Sequence, residues 1–479
     1  MPLLVLLSCT GLVLYLRWLE RRVSRETSLA LWIPTLWMLI SASRPLATWF
    51  VRAGSVPGTN DAGSALDRWV LTALAASAIV VLVRRRTDWR SSMRKHPWLL
   101  VLLGYMVLST FWSQITAIAL KRWTRELIVV VMALVVLSEA NPRQAYASLL
   151  RRTAYILLPF SWVLIKYYTM LGRVYGKFSG IEMWTGVTGQ KNHLGRLCMI
   201  SALFLVWALY VRWREHSWAR RDRYVVWADI FIIFVALYLL KQSDSATSLA
   251  TLGLGLMTFF GLSWMRKKRM RVPLTGLAVL VIALLLFGTS TPFLGGSNLA
   301  SFTSSLGRDT TLTGRTEVWS DVIPMISAQP VLGYGFGSFW TDARRLQYDI
   351  PTAHNGYLDI LLELGALGLV IYVFWLLSCT RRLGRALTHD YDWAALALSF
   401  LVMGLLYNVT ESALNSLTEH MTAVTVFTLF VLSYKPVSKS SRRDSIVSFL
   451  PEEQMRVATD VDQPEAEVML RRVYRFGKT

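Results

Sequence analysis

The sequence predicts an all-α polytopic membrane protein of about thirteen transmembrane helices, with one large polar loop on the outer face. Three observations carry this. Of its 479 residues, 54% are hydrophobic and only 17% charged, too apolar and charge-poor for a water-soluble chain of this length. Apolar runs of about 20 residues, enough to cross a bilayer, recur throughout residues 1–434. Between them, every second loop is rich in arginine and lysine, as the positive-inside rule asks of cytoplasmic loops. The formal net charge of +21 therefore reads as a topology signal, and nucleic acid is not an expected partner.

The expected spans are 2–19, 29–49, 66–83, 97–113, 123–139, 152–171, 193–211, 224–240, 246–264, 272–288, 356–378, 392–409 and 415–434. The first has no basic leader and no A-x-A-like site after it, so it reads as a retained span. Arg17, Arg21, Arg22 and Arg25 follow it, and Arg84, Arg85, Arg86, Arg90, Arg94 and Lys95 follow the third. Arg143, Arg151 and Arg152 follow the fifth; Arg212, Arg214, Arg220, Arg221 and Arg223 the seventh. Arg266, Lys267, Lys268, Arg269 and Arg271 follow the ninth, and Arg381, Arg382 and Arg385 the eleventh. The alternation puts the N-terminus and the 289–353 loop outside. Cys9, Cys198 and Cys379 lie in or beside apolar runs and form neither a disulfide framework nor a metal spacing. Residues 435–479 turn polar and charged, giving a second region that reads as a disordered cytoplasmic tail behind the 1–434 membrane domain.

The loop is the stretch that asks for a function, since a long polar connection in such a chain is either functional or disordered. It carries Thr-Gly-Arg-Thr-Glu at 313–317 and Gly-Tyr-Gly-Phe-Gly at 333–337, and closes on Ala-His-Asn-Gly-Tyr at 353–357. Arg315 opens an amphipathic stretch with Val318, Trp319, Val322, Ile323 and Ile326 on one face, expected to lie on the membrane surface. An arginine held at headgroup level suits the oxygens of a diphosphate-linked lipid. His354 is expected in the first turn of the eleventh helix with Thr352 as N-cap. A helix N-terminus disfavours imidazolium, leaving a neutral ring able to act as base for a sugar hydroxyl.

Other cations on the outer side are Arg44, Lys121, Arg122, Arg125, Arg173, Lys177, Lys191, Arg196, Lys241, Arg308, Arg344 and Arg345. Most read equally well as solvated or snorkelling charges. Lys191 and Arg196, with Asn192 and His193 between them, open the seventh span, where a helix N-terminus favours an anion. Asp359 and Glu363 share a helix face below His354 and either orient the site or line a wet vestibule. Glu411, Glu419 and His420 are weaker candidates on the same side. The sequence carries no Walker-type phosphate loop, His-Glu-x-x-His or outer-loop Asp-x-Asp, so no cofactor or metal is expected and cationic side chains would stabilise the departing diphosphate.

The segments 189–196 (Gly-Gln-Lys-Asn-His-Leu-Gly-Arg), 313–319 (Thr-Gly-Arg-Thr-Glu-Val-Trp) and 353–359 (Ala-His-Asn-Gly-Tyr-Leu-Asp) together resemble the O-antigen ligase and polymerase superfamily. The contexts Ser43-Arg44-Pro45, 108–113 and Lys121-Arg122-Trp123 look like its exopolysaccharide branch, typified by succinoglycan polymerisation proteins. The resemblance spans about 25–434. It implies a GT-C-like membrane domain performing metal-independent, inverting glycosyl transfer on the periplasmic face of the bacterial inner membrane. The substrate would be an oligosaccharide on undecaprenyl diphosphate, and a chain-length regulator would be the partner. It further implies that Arg315 and His354 are catalytic and that Arg315, Lys191, Arg196 and Lys241 bind diphosphate. Glu317 and Asn355 stand beside them as supporting residues. Ligases often carry a Ser-Arg pair where this chain reads Lys241-Gln242-Ser243, a lysine lacking arginine's bidentate fork. The balance therefore leans to polymerase, with O-antigen ligase as the alternative. A lipid-linked glycan transporter would carry midplane charges and paired halves, and the sequence has neither.

Overall fold

The computed structural model describes the chain apart from Arg25, residues 51–63, 176–179, 181, 216–222, 294–314, 349–351, 414 and 435–479, and the side chains of Phe293, Arg315 and Thr316. The tail and the positions of Lys177 and Arg308 therefore lie outside the described residues.

Helices dominate. The first six are α1 (Pro2–Val23), α2 (Trp32–Ser41), α3 (Ala65–Arg84), α4 (Trp89–Arg94), α5 (Pro97–Ser109) and α6 (Thr116–Leu137). The middle of the chain forms α7 (Pro142–Tyr167), α8 (Thr169–Gly172), α9 (Lys191–Arg214), α10 (Arg223–Gln242), α11 (Ala246–Lys267) and α12 (Leu274–Ser290). Then follow α13 (Arg315–Ala328), α14 (Asp342–Tyr348), α15 (Gly356–Ala386), α16 (Tyr391–Thr410) and α17 (His420–Leu432). A two-stranded antiparallel hairpin, β1 (Arg173–Tyr175) with β2 (Glu182–Trp184), interrupts them, with Val174 opposite Met183.

Each of the thirteen apolar runs coincides with a helix. Eight described helices (α1, α3, α7, α9, α10, α11, α15 and α16) are long and apolar enough to cross a membrane, and α2, α5, α12 and α17 lie in shorter apolar segments. The thirteenth, α6, has the length but holds Lys121, Arg122, Arg125 and Glu126 in its first half. The chain is an all-α multi-pass membrane protein. Helices α7, α9 and α16 are its buried centre, whereas α1 and α3 expose most of their surface, as spans at the lipid boundary do.

Two expectations fail here. The sixth span was placed at 152–171, leaving Arg151 and Arg152 in a basic loop. Helix α7 instead starts at Pro142, with the Asn141 side chain accepting from Gln144 N–H, and both arginines are buried inside it. Acids on neighbouring helices make this possible. Arg151 Nε and Nη2 each donate to Asp229 of α10 at 3.0 Å, and Arg152 Nε lies 3.4 Å from Glu20 of α1. A charge enters the interior only with such a partner.

The second concerns α15, expected as one continuous span over 356–378. Its direction breaks at Gly365, where φ is +63° and ψ −170°. Breaking a helix frees carbonyls that must find donors away from water. Tyr334 N–H donates to Leu362 O and Gly335 N–H to Glu363 O, both at 2.8 Å, and Tyr105 Oη donates to Leu364 O at 2.9 Å. In return Ala366 N–H donates to Pro330 O (2.8 Å) and Leu367 N–H to Val331 O (3.2 Å). The glycine-rich segment 330–337 is thus built into the break.

Candidate active site

His354 sits just before α15, not in its first turn. The cap is Asn355, whose Oδ1 accepts from Tyr357 N–H at 2.9 Å and Leu358 N–H at 3.1 Å. Its Nδ2 donates to Gly288 O of α12 and Val409 O of α16, so one buried asparagine pins three helices. Asparagine is among the best N-caps, and it displaces Thr352 from that role. Thr352 Oγ1 accepts from His354 N–H at 3.4 Å. His354 is left with φ +50°, a left-handed conformation that costs a non-glycine residue strain.

The imidazole faces the end of α16. Nδ1 lies 3.5 Å from Oε2 of Glu411, the first residue past α16, with the histidine side chain 23% exposed and the glutamate 4%. Glu411 Oε1 accepts from Asn192 Nδ2 of α9. The ring's electrostatic setting is therefore a carboxylate, in addition to the expected helix end.

The N-terminus of α9 meets this pair from the other side. Lys191 Nζ lies 3.6 Å from Asp244 Oδ2, in the turn between α10 and α11, and the exposed Lys241 closes α10 beside it. Below them Arg196, 4% exposed, holds Glu419 at 2.6 Å and lies over the Tyr407 ring. His193 feels Arg196, Glu419, Glu411 and His354 together, and the buried His420 adjoins Arg196 and His193. Two tiers result. Lys241 is exposed and Lys191 partly so, with its Nζ near Asp244, while Arg196 is buried in its pair with Glu419.

Helix α13 is present where the amphipathic pattern placed it, but its apolar face meets protein. Trp319, Val322 and Ile326 pack with Phe339, Trp340, Ala353, Leu358 and Leu362. Burying that face against α15 satisfies it as lipid would. Trp319 Nε1 donates to Ala353 O at 3.0 Å, which fastens α13 to the residue before His354. Arg315 begins α13 and its side chain lies outside the described residues; Glu317, in the same turn, is exposed.

Asp359 and Glu363 do share a face, and both are buried fasteners. Asp359 Oδ1 accepts from Trp340 Nε1 at 2.7 Å and Ala353 N–H at 3.2 Å, and Glu363 Oε2 accepts from Gly337 N–H at 3.1 Å. No wet vestibule is needed to explain them.

With this geometry in place, residues 230–373 match the family model described as O-antigen ligase. The chain is also 25% identical over 323 residues to the exopolysaccharide production protein ExoQ of Rhizobium meliloti (strain 1021), covering 63% of this chain and 68% of that protein. Both likenesses support the O-antigen ligase and polymerase superfamily.

The superfamily segment supplies Lys241, α13, the glycine-rich loop, His354 and the broken part of α15. Lys191, Asn192, Arg196, Glu411 and Glu419 come from helices on either side of it. Sequence reasoning ranked Glu411 low, because nothing local distinguishes a glutamate at a helix end; its importance is its contact with His354. It also passed over α6 as an organiser. Arg122 Nη1 donates to Gly337 O, and Glu126 accepts from Ser416 Oγ and Leu417 N–H. One helix thereby holds both the glycine-rich loop and the loop between α16 and α17.

Proposed function

We propose that this protein is an integral-membrane glycosyltransferase that polymerises oligosaccharide repeat units carried on undecaprenyl diphosphate, at the periplasmic face of the bacterial inner membrane. The observation that carries the reading is the His354–Glu411 pair at 3.5 Å, with Lys191 adjoining Asn192, the donor to the same Glu411. His354 accepts the proton of an acceptor hydroxyl as its oxygen attacks the anomeric carbon. The bond from that carbon to the diphosphate breaks on the opposite face, inverting the centre, and the leaving diphosphate takes the electron pair. Lys191, Lys241 and Arg315 meet its charge. Glu411 orients the imidazole and balances the imidazolium that forms. Support comes from the superfamily match and from the likeness to an exopolysaccharide production protein.

The test is a reaction of the purified protein in lipid with undecaprenyl diphosphate-linked repeat units, products being sized on a gel. A ladder that disappears with His354→Ala is expected. Transfer seen only after lipid A-core is added would make the acceptor, and hence the function, that of a ligase. Uptake of labelled lipid-linked glycan into vesicles without a new glycosidic bond would overturn the enzyme reading.

A further inference from the structure

A groove of about 550 Å³ runs between α1, α2, α3 and α7. Its walls are apolar, with Leu6, Leu39, Leu74 and Phe160 among them, and Ser43 is the lone polar residue of the lining. Its volume is in the range of small-molecule sites. It is bounded by α1 and α3, the two long helices that bury least of themselves.

At its mouth stands Arg44. The guanidinium lies 4.8 Å from the ring of Trp49, which itself lines the groove. Arg44 Nη2 donates to Gly186 O at 2.7 Å, Thr188 O at 3.0 Å and Leu171 O, and Nε lies 3.4 Å from Val187 O. These partners are all neutral carbonyls. Among the described residues no carboxylate pairs with Arg44, and its Nη1 makes none of these bonds. Among the described residues this positive charge is met by carbonyls alone, beside the residues that line the end of the apolar channel. Such a pairing fits an amphiphile with an anionic head and a long hydrocarbon tail.

The mouth adjoins the catalytic residues. Thr188, held by Arg44, is three residues before Lys191, and Ser41 Oγ at the end of α2 donates to Thr418 O, next to Glu419. Polymerisation joins two lipid-linked glycans for every bond formed, so the protein must seat two anionic head groups and two tails. Lys191, Lys241 and Arg315 serve one. We infer that the Arg44 groove is the second lipid subsite, taking the polyprenyl chain of the other lipid-linked glycan with its diphosphate at Arg44. This rests on the polymerase reading.

The test is photolabelling of the full chain in phosphatidylcholine nanodiscs with a short polyprenyl diphosphate bearing a diazirine, the labelled peptides being mapped by mass spectrometry. Label is expected on groove residues of α2, α3 and α7. Unlabelled undecaprenyl diphosphate should reduce it at least fivefold, and an equal concentration of phosphatidylglycerol should not. Arg44→Gln should weaken it about tenfold. Because Arg44 also clamps the 186–188 carbonyls, Leu74→Trp, which fills the groove and leaves that clamp intact, serves as the second variant and should abolish the groove label. No groove label, or equal competition by phosphatidylglycerol, overturns the subsite. Groove labelling by a protein that makes no ladder would instead sink the polymerase reading, since labelling needs no glycosyl transfer.

Discussion

Gly333 and Gly365 meet backbone to backbone, each in the left-handed region, with φ of +64° and +63°. A Cβ on Gly333 would come within 2.6 Å of Gly365 N, and one on Gly365 within 2.2 Å of Val331 O. Glycine is needed twice over, for the dihedral and for the space. The contact fixes the glycine-rich loop against the broken helix that begins beside His354.

Gly365→Ala therefore costs about 1–3 kcal/mol in backbone strain alone, and the clash must also push the 330–337 segment away. We expect a protein that still inserts and is recovered at full length, but whose chain growth falls at least tenfold. Polymer yield per unit of membrane protein measures this. Wild-type yield would show that the docking of loop to helix does not set the site.

For His354 and Glu411 the expectation is coupling. Removing a general base typically costs 10²–10⁴ in rate, so His354→Ala should lose about that much. Glu411→Gln keeps a partner for Asn192 but removes the charge facing the ring, and should lose about 10–100-fold. The double variant should be little worse than His354→Ala, because residues acting as one unit are not additive. Initial rates of ladder formation decide it: multiplied losses would mean that Glu411 works elsewhere.

The membrane architecture was legible because it rests on composition and length, which are local. All thirteen apolar runs became helices. The motifs around Lys191, Arg315 and His354 stand out in the sequence by residue type alone. What escaped is what depends on distant partners. Arg151 and Arg152 look like loop charges until Asp229 and Glu20 approach from other helices. Thr352 looks like a cap until Asn355 outcompetes it with four hydrogen bonds. The face of α13 reads as membrane-seeking, since apolar periodicity does not say whether lipid or protein covers it. Gly365 gave a signal of its own, a glycine in a span, but its meaning lies in Gly333, thirty-two residues earlier.

On the opposite face, His96 makes stability depend on pH. It is buried before α5, stacked on Phe430 with ring centroids 4.4 Å apart, and its Nε2 lies 3.1 Å from Ser433 Oγ. Burial pushes its pKa down to about 3, helped by the charges of Arg382 and Lys95. The unfolded chain thus binds a proton near the usual histidine value that the folded chain refuses. Stability from this site is fully present above about pH 6.5 and is lost as pH falls toward 3, by about 1.4 kcal/mol per pH unit. His96→Gln, which does not titrate, should show a smaller drop in melting temperature between pH 7 and pH 5 in detergent. Parallel curves for both proteins would remove His96 as the cause.

The buried pair of Arg151 and Asp229 gives the clearest stability test. Both side chains are nearly inaccessible, at 4% and 0%, and Tyr155 Oη adds a third bond to the same carboxylate at 2.5 Å. Asp229→Asn removes the negative charge and leaves Arg151 buried without its counter-ion, which typically costs about 3–5 kcal/mol. The expected result is a large loss of monodisperse protein on heating in detergent. Replacing Arg151→Met and Asp229→Leu together with Tyr155→Phe, whose hydroxyl bonds the same carboxylate, removes both the Arg151 charge and the orphaned hydroxyl. It should recover part of the loss, since a packed apolar cluster can match a buried ion pair. Fluorescence-detected gel filtration after a temperature series reads both variants. Native heat resistance in Asp229→Asn would mean that water reaches Arg151. A triple variant as fragile as the single would mean that the hydrogen bonds, more than the charge, hold α7 to α10.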